Sequence, residues 1–291
     1  MSNNIKSFQI NQNQKKIIEN NFFNFLIKSD NEFIENTYKS NNWTIVIYKS
    51  QKCVISGKNI EEILKILDIK QMNFISNEIG MDEVGVGDYF GGIVVCSVFL
   101  NKETFNKIQN LDIKDSKKLN DSKIVKIAKE LIKIVDFEIS QVLPKEYNLL
   151  IDKFNNSHII KTILHNNAIF NLINNHHINL SNDLNIILDK YVDEKKYYEY
   201  LQIANIKNIV KINEFKIHAE STNLSVACAS IIARYYFLKQ IHELSKELNL
   251  KLPLGAWNNK IEEVSKKIID TYGREKLNQY VKIHFKNTEK L

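Results

Sequence analysis

The chain has 291 residues, of which 44% are hydrophobic and 25% are charged, proportions that exclude a disordered or fibrous protein. Its formal net charge is +6, which is compatible with a polyanionic partner. The polar first ten residues have no signal-peptide core, and no apolar run is long enough to cross a membrane. Cys53, Cys96 and Cys228 are scattered without metal-binding spacing, so we expect a cytoplasmic protein with no membrane association.

Residues 1–72 have the pattern of a small mixed α/β unit. Apolar residues recur at helical spacing over residues 11–27, which predicts a helix. Residues 43–49 and 52–57 are rich in β-branched and aromatic residues, and the short break between them predicts a hairpin. Residues 60–67 predict an amphipathic helix. We therefore expect a separate N-terminal domain.

Residues 73–291 alternate strand-like and helix-like segments, which predicts an α/β domain. The run Ile93–Leu100 is almost entirely apolar and is typical of a strand that is buried on both faces. Asn120 and Asp121 are candidate caps for the helix that follows them. The remaining predictions are strands at residues 136–143 and 184–188, and helices at residues 122–134, 157–173, 222–248 and 261–285.

Acidic residues follow two of these apolar strands directly. Asp82 and Glu83 come after FISNEIGM, and Asp189 comes after LNIIL. Because carboxylates are poor strand residues, their position at a strand end calls for an explanation. Taken alone, Asp189 is adequately explained as a turn residue or a helix cap. Together, acids from separate strand ends are the hard oxygen ligands that suit Mg²⁺.

Half of the glycines of the chain directly follow the first two acids. Gly85, Gly87, Gly91 and Gly92 are four of only eight glycines. Glycine allows backbone N–H groups to approach a ligand closely because it has no Cβ. The spacing does not complete the GxGxxG dinucleotide fingerprint, so the glycines alone do not identify the ligand.

A third acidic position, Glu220, precedes the long predicted helix at residues 222–248. Ser221 and Thr222 are predicted to cap that helix. Glu220 is explained either as simple charge complementarity at the start of a helix or as part of the acidic site. The first turns of the helix are unusually rich in small residues, which favours close packing on a sheet and brings Glu220 towards the other acids.

These segments resemble, in chain order, the motifs of bacterial ribonuclease HIII. The motifs are DEVGVGDYFGGIVV, IKDSKKLND, LHNNAI, IILDKY, HAESTNLSVACASIIARYYFL, LPLGA and KIHFKNTEKL. The resemblance covers nearly the whole chain. It implies a ribonuclease H-like mixed sheet flanked by helices, preceded by a small α+β domain that is similar to TATA-binding protein and contacts the substrate.

The resemblance also implies an activity, a cofactor and a catalytic site. The activity is hydrolysis of the RNA strand of RNA–DNA hybrids, dependent on Mg²⁺ or Mn²⁺, by a monomeric protein. The products would carry 3′-hydroxyl and 5′-phosphate ends. The catalytic and metal-binding residues implied by the motifs are Asp82, Glu83, Asp189 and Glu220.

Further motif positions are implied substrate contacts. Gly85, Val86 and Gly87 would lie beside the ribose 2′-hydroxyls, the groups that distinguish RNA from DNA. Ser116, Lys117 and Lys118 are candidate phosphate contacts, although a solvated turn explains them equally well. The remaining candidates are His165, Asn166 and Ser221, of which a histidine within a helix is more often a packed residue.

Four positions depart from the family pattern. Val86 and Gly92 stand where the family usually has Thr and Pro, and Leu254 and Trp257 stand where it tends to have Lys and Gly. These departures keep two alternatives open. One is a non-catalytic or weakly active hybrid-binding protein, and the other is incision at single ribonucleotides, as in ribonuclease HII.

Overall fold

The computed structural model describes residues 4–58, 60–67, 76–108, 111, 113, 120–181 and 183–291. The chain divides into two compact units, residues 1–73 and 74–291. Within the described residues, each helix is either too short or too polar for a membrane span.

The N-terminal unit is an antiparallel sheet with two helices. Its elements are β1 (Asn4–Gln9), α1 (Gln12–Phe22), β2 (Leu26–Ile27), β3 (Ile34–Lys39), β4 (Trp43–Tyr48), β5 (Lys52–Gly57) and α2 (Ile60–Ile66). The strand order among the described residues is β1-β5-β4-β3-β2. The predicted hairpin is confirmed, because β4 pairs with β5 in antiparallel register.

The first helix is shorter than predicted. Asn11 and Gln14 form a capping box that starts α1, so its beginning agrees with the sequence pattern. The helix ends at Phe22, and the apolar residues that continue the pattern belong to a 3₁₀ turn, Phe23–Phe25, and to β2. Phe23, Phe25, Leu26 and Ile27 are exposed, so their helical spacing did not mark the buried face of a longer helix.

The larger unit is built around a five-stranded mixed sheet with the order β10-β9-β6-β7-β8 among the described residues. The strands are β6 (Asn77–Val84), β7 (Ile93–Leu100), β8 (Asp136–Val142), β9 (Leu184–Asp189) and β10 (Glu214–Lys216). The helices are α3 (Lys102–Ile108), α4 (Asp121–Leu131), α5 (Pro144–Phe154), α6 (Ser157–Asn175), α7 (Glu194–Ile203), α8 (Leu224–Leu248), α9 (Asn259–Tyr272) and α10 (Arg274–Leu277). The predicted fold class, a mixed sheet flanked by helices after a small α+β unit, is confirmed.

Helices α6 and α8 cover opposite faces of the central strands. On one face, α8 presses so closely on β6 that a Cβ at Gly80 would lie 2.2 Å from the backbone nitrogen of Val226. The small residues at the start of α8 permit this approach, as expected from the sequence. On the other face, the Ser97 hydroxyl of β7 donates a hydrogen bond of 2.9 Å to the Ala168 carbonyl of α6.

Two predictions about helix ends are wrong. Ser221 and Thr222 do not cap α8, because Asn223 is its N-cap residue and Ala219–Ser221 form a separate 3₁₀ turn. The helix predicted at residues 261–285 is also interrupted. Gly273 has a φ of 86°, which separates α9 from α10, and Val281 then pairs with Phe90 beyond the helices. The predicted cap Asn120 is confirmed by its bond to the Lys123 amide.

Candidate active site

The acidic residues predicted at strand ends are neighbours in the sheet. Strands β6 and β9 are adjacent and parallel, and their register pairs Met81 with Leu188. Asp82 and Asp189 follow these two residues, so they stand at equivalent positions on adjacent strands. The carboxyl ends of parallel strands are where open α/β sheets carry their sites.

Asp82 lies on the α8 side of β6. Its side chain is 9% exposed and is hydrogen-bonded to Ser230 of α8. One carboxylate oxygen, Oδ1, also accepts a hydrogen bond of 2.7 Å from the Glu83 amide. Burial, followed by the charges of Glu83 and Asp189, raises the pKa of Asp82 well above its ordinary value. Asp82 is therefore a buried carboxylate whose charge is opposed by its neighbours.

Glu83 lies on the opposite side, against α6. Its two carboxylate oxygens contact Lys161 Nζ at 3.0 Å and His165 Nε2 at 2.9 Å. Burial alone would raise the pKa of Glu83, but the hydrogen bond and charge of His165, together with Lys161, lower it well below its ordinary value. Glu83 is held ionised and in a fixed orientation.

Tyr191 completes the surroundings of Glu83. The Lys161 ammonium lies 3.9 Å from the centroid of the Tyr191 ring, and the His165 ring stacks on the same tyrosine at 5.3 Å. The Tyr191 hydroxyl and Thr162 Oγ1 are 2.8 Å apart. Sequence reasoning missed Lys161 and Tyr191. The available signal was a lysine four positions before His165, on the same face of a largely apolar helix.

Asp189 also holds the turn that carries Glu220. Asp189 Oδ1 accepts a hydrogen bond of 2.9 Å from the Ala219 amide, directly before Glu220. Glu220 is 5% exposed, and its Oε1 lies 3.9 Å from His218 Nδ1. The end of β9 thus connects two of the predicted acidic residues, although they are separated by a helix and a short strand in the sequence.

The donor set suits a divalent cation by its chemistry. Asp82, Asp189 and Glu220 offer buried or strand-end carboxylate oxygens, and a cation would offset the repulsion that raises the pKa of Asp82. In the described part of the chain, no three His, Cys, Asp or Glu side chains are close enough together to hold one ion. Binding of one ion by all three carboxylates would therefore require their side chains to change conformation.

The glycines after the acids form a loop, residues 85–92, which we call the glycine loop. Packing accounts for three of them. Gly85 and Gly91 have φ values of 100° and 82° and adjoin Phe237 of α8, while a Cβ at Gly92 would lie 1.8 Å from the Val142 carbonyl oxygen. Of these four glycines, only Gly87 has nothing within 4 Å of the position of a Cβ among the described atoms.

The other predicted substrate contacts differ in their surroundings. Val86 is half-buried against an apolar cluster that includes Ile93 of β7. Asn166 is 1% exposed, and its amide group donates to the Asn208 carbonyl and accepts from the Val210 amide, so it holds that loop. Ser221 is exposed and donates to the His218 carbonyl. Three positions lie outside the described residues, namely Ser116, Lys117 and Lys118.

Comparison with known proteins agrees with this arrangement. A family model described as Ribonuclease HII matches residues 79–288. Ribonuclease HIII of Phytoplasma mali (strain AT) is 38% identical over 287 residues, covering 98% of this chain and 91% of that protein. The chain belongs to the ribonuclease HIII family. The predicted class of enzyme, a ribonuclease H, is confirmed by this membership.

Two further members of the ribonuclease HIII family support the assignment along the whole chain. Ribonuclease HIII of Ureaplasma parvum serovar 3 is 35% identical over 294 residues, covering 92% of each protein. The crystal structure of Bst-RNase HIII in complex with Mn²⁺ is 30% identical, covers 99% of this chain and 97% of its own, and superposes with a TM-score of 0.72. The similarity therefore includes the N-terminal unit as well as the unit that carries the acids.

Proposed function

We propose that this ribonuclease HIII family member is an endonuclease that hydrolyses the RNA strand of RNA–DNA hybrids and leaves 3′-hydroxyl and 5′-phosphate ends. The observation that carries the proposal is the register of β6 and β9, which places Asp82 beside Asp189 at the ends of parallel strands. The Mn²⁺ complex of Bst-RNase HIII supports Mg²⁺ or Mn²⁺ as the cofactor.

The residues of this chain have distinct tasks in the proposed reaction. Asp82, Asp189 and Glu220 supply carboxylate oxygens for the divalent cations, which when bound activate water and stabilise the leaving oxygen. Glu83 is the fourth proposed ligand, and Lys161 and His165 keep it ionised and oriented before any substrate arrives. Hydrogen bonding of a ligand by neighbouring side chains fixes its direction and charge.

We also propose that the backbone at Gly87 contacts the ribose of the RNA strand. Gly87 leaves the backbone uncovered, whereas Gly92 is enclosed by β8. We expect Gly87→Ala to fold normally and to raise KM for hybrid cleavage, because the added methyl group meets only the substrate. Gly92→Ala is the contrasting variant, in which the methyl group forces the backbone of Val142 to move and the protein loses stability. Normal hybrid binding by Gly87→Ala would contradict this contact.

We assign hybrid binding to the N-terminal unit, predicted over residues 1–72, as a substrate-binding domain. Lys49, Lys52 and Lys58 are exposed on this unit and suit contacts with phosphate. Replacing all three with glutamine should weaken hybrid binding and make its salt dependence shallower, since fewer counterions are released. Unchanged affinity and salt dependence in a filter-binding titration would argue against the assignment.

We propose in addition that the protein acts as a monomer in the cytoplasm. The three cysteines are buried and form no disulfide, which suits a reducing compartment. Sedimentation of the protein with and without a short hybrid tests the monomer directly, and a stable dimer would refute it.

The decisive experiment is a cleavage assay with a labelled hybrid, with Mg²⁺ or Mn²⁺ and with a chelator. We expect cuts within the RNA strand only when a metal ion is added. Binding without cleavage under every metal would favour the hybrid-binding alternative. A DNA duplex with a single ribonucleotide should be a poor substrate, and preferential incision there would favour the ribonuclease HII-like alternative.

A further inference from the structure

A buried lysine connects the glycine loop to the C-terminal part of the chain. Lys282 is 0% exposed, and its ammonium group donates hydrogen bonds to the carbonyl oxygens of Asp88 and Gly91, both at 2.7 Å. Both partners are backbone carbonyl groups of the glycine loop. Enclosing an amine in this way is unfavourable unless its hydrogen bonds are satisfied, so the contact is a specific one.

The backbone around Lys282 also pairs with the glycine loop. The Lys282 amide donates to the Tyr89 carbonyl, and the Gly91 amide donates to the Tyr280 carbonyl, each at 3.0 Å. Between them, Phe90 and Val281 form an antiparallel bridge. The motif KIHFKNTEKL, which had no role in the acidic site, therefore begins with the residues that hold this loop.

Asn148 of α5 forms hydrogen bonds with the backbone on both sides of Lys282. The Asn148 amide nitrogen donates to the carbonyl oxygens of Asn278 and Val281, both at 2.9 Å, and its oxygen accepts from the Ile283 amide at 3.1 Å. Both polar atoms of the buried Asn148 side chain are thus hydrogen-bonded to the backbone of the segment that carries Lys282. Asn148 therefore anchors the segment that carries Lys282 to a part of the protein outside the glycine loop.

The opposite side of the loop is held by the LPLGAW segment. Asp88 Oδ1 accepts a hydrogen bond of 2.6 Å from the Gly255 amide, and the Tyr89 amide donates to the Gly255 carbonyl at 2.9 Å. The Trp257 ring meets the Tyr89 ring edge-on at 5.0 Å. The family departure at Trp257 is therefore part of the packing around Tyr89.

We propose that Lys282 is a positioning residue for substrate binding: by holding the carbonyl groups of Asp88 and Gly91, it sets the course of the glycine loop and presents Gly87 to the RNA strand. This inference rests on the proposed function, in which the Gly87 backbone contacts the ribose. Lys282 itself is enclosed and touches no substrate, so its effect passes through the loop. It predicts a role in affinity and in the choice of RNA over DNA, with no role in the chemical step.

The test compares Lys282→Met with wild-type protein in hybrid cleavage. Methionine has nearly the same length and is apolar, but it cannot donate to the two carbonyl groups. We expect KM for the hybrid to rise about tenfold while kcat changes by less than about twofold, because losing a contact that binds the substrate equally in the ground and transition states raises KM alone. The preference for a hybrid over a DNA duplex in binding should fall by a similar factor. Lys267→Met, at an exposed position of α9, is the matched control and should match wild type.

Hydrogen exchange and circular dichroism separate positioning from folding. In Lys282→Met we expect faster exchange of the Gly91 amide with an unchanged folded fraction. A folded variant with wild-type KM and wild-type preference would overturn the proposal, as would a loss of kcat alone. If Lys282→Met does not fold, Asn148→Ala replaces it and should also raise KM, and an unchanged KM there would be equally contrary. Wild-type protein that neither binds nor cuts hybrids would instead refute the proposed function on which the inference rests.

Discussion

The two faces of strand β6 shift the pKa values of two consecutive carboxyl groups in opposite directions. On the α8 side, Asp82 is buried among other acids, and its pKa is raised by burial and by Glu83 and Asp189. On the α6 side, burial also acts on Glu83, but His165 and Lys161 outweigh it and lower its pKa. One side concentrates negative charge and the other neutralises it, although the two residues are consecutive.

This difference shows how two consecutive side chains of one strand can have different functions. Because successive side chains of a strand point to opposite faces, each acid takes its environment from a different helix. The α8 side, with Ser230 and the nearby Asp189, keeps ligand oxygens available for a cation at the expense of stability. The α6 side supplies the ion pairs that hold the next residue in place.

The largest expected effect is on the α8 side. Asp82→Asn removes a proposed metal ligand, and we expect hybrid cleavage to fall by at least about a thousandfold. The same change removes a buried carboxyl group whose ionisation is opposed by burial and by the neighbouring carboxylates, so the melting temperature should stay the same or rise. Activity assays and thermal unfolding measure the two effects. Glu263→Gln, at an exposed position of α9, is the control and should alter neither. If Asp82→Asn lost both activity and folding, the result would contradict the expectation that the α8 side of β6 serves activity at the expense of stability.

A smaller effect is expected on the α6 side, where it should appear first in stability. Lys161→Met removes a cation from the buried Glu83, which should lower the free energy of unfolding by about 3 kcal/mol. Adding Glu83→Gln to Lys161→Met should restore much of that loss, because the uncompensated charge is gone. The matched control is Lys107→Met, which breaks an exposed pair with Glu103 and should cost less than about 0.5 kcal/mol. Denaturant unfolding measures all four proteins. An equal loss of unfolding free energy in Lys161→Met and Lys107→Met would contradict the distinction between the buried and the exposed ion pair.

The smallest expected effect is the change in the free energy of unfolding with each pH unit, measured with a chelator present. The raised pKa of Asp82 means that the folded state keeps a proton that the unfolded chain releases above about pH 4. The stability of Asp82→Asn relative to wild type should therefore grow as pH rises from there to the raised pKa.

Glu83 should show the opposite sign. Its lowered pKa makes its contribution complete above about pH 4.3, and the contribution is lost as pH falls through the lowered value. The deficit of Glu83→Gln relative to wild type should thus be greatest near neutral pH and fade in acid. Neither slope should exceed about 1.4 kcal/mol per pH unit. Two slopes of the same sign would refute the assignment of the two acids to different environments.

Much of the site follows from local sequence patterns. Asp82, Glu83 and Asp189 stand out because acids directly follow apolar strands, and the register of parallel neighbours then brings two of them together. The small residues at the start of α8 likewise predicted the close packing of that helix on the sheet. These features depend on a few consecutive residues, so they can be predicted from a local sequence pattern.

The parts that escaped prediction depend on contacts between distant segments. Lys161 and Tyr191 form one cluster with Glu83, and the three residues lie in separate elements that only the fold brings together. Gly85, Gly91 and Gly92 were interpreted as substrate contacts or ligand-approach positions, but Phe237 and Val142 explain their lack of a side chain. The sequence pattern did not predict the break at Gly273, because the apolar residue Val281 beyond it pairs with Phe90 of the glycine loop and not with a helical face.

The contact between Lys282 and Asp88 joins residues that are 194 positions apart in the chain. During synthesis, all four acidic residues leave the ribosome before Lys282 has been added, and domains tend to fold from the N-terminal side as they emerge. A growing chain therefore already has its proposed metal-binding side chains while its glycine loop still lacks one of the segments that hold it. Contacts between such distant residues also slow folding. In the proposed function, the contact between Gly87 and the RNA strand is accordingly completed late in synthesis, after the N-terminal unit and the acidic residues have been made.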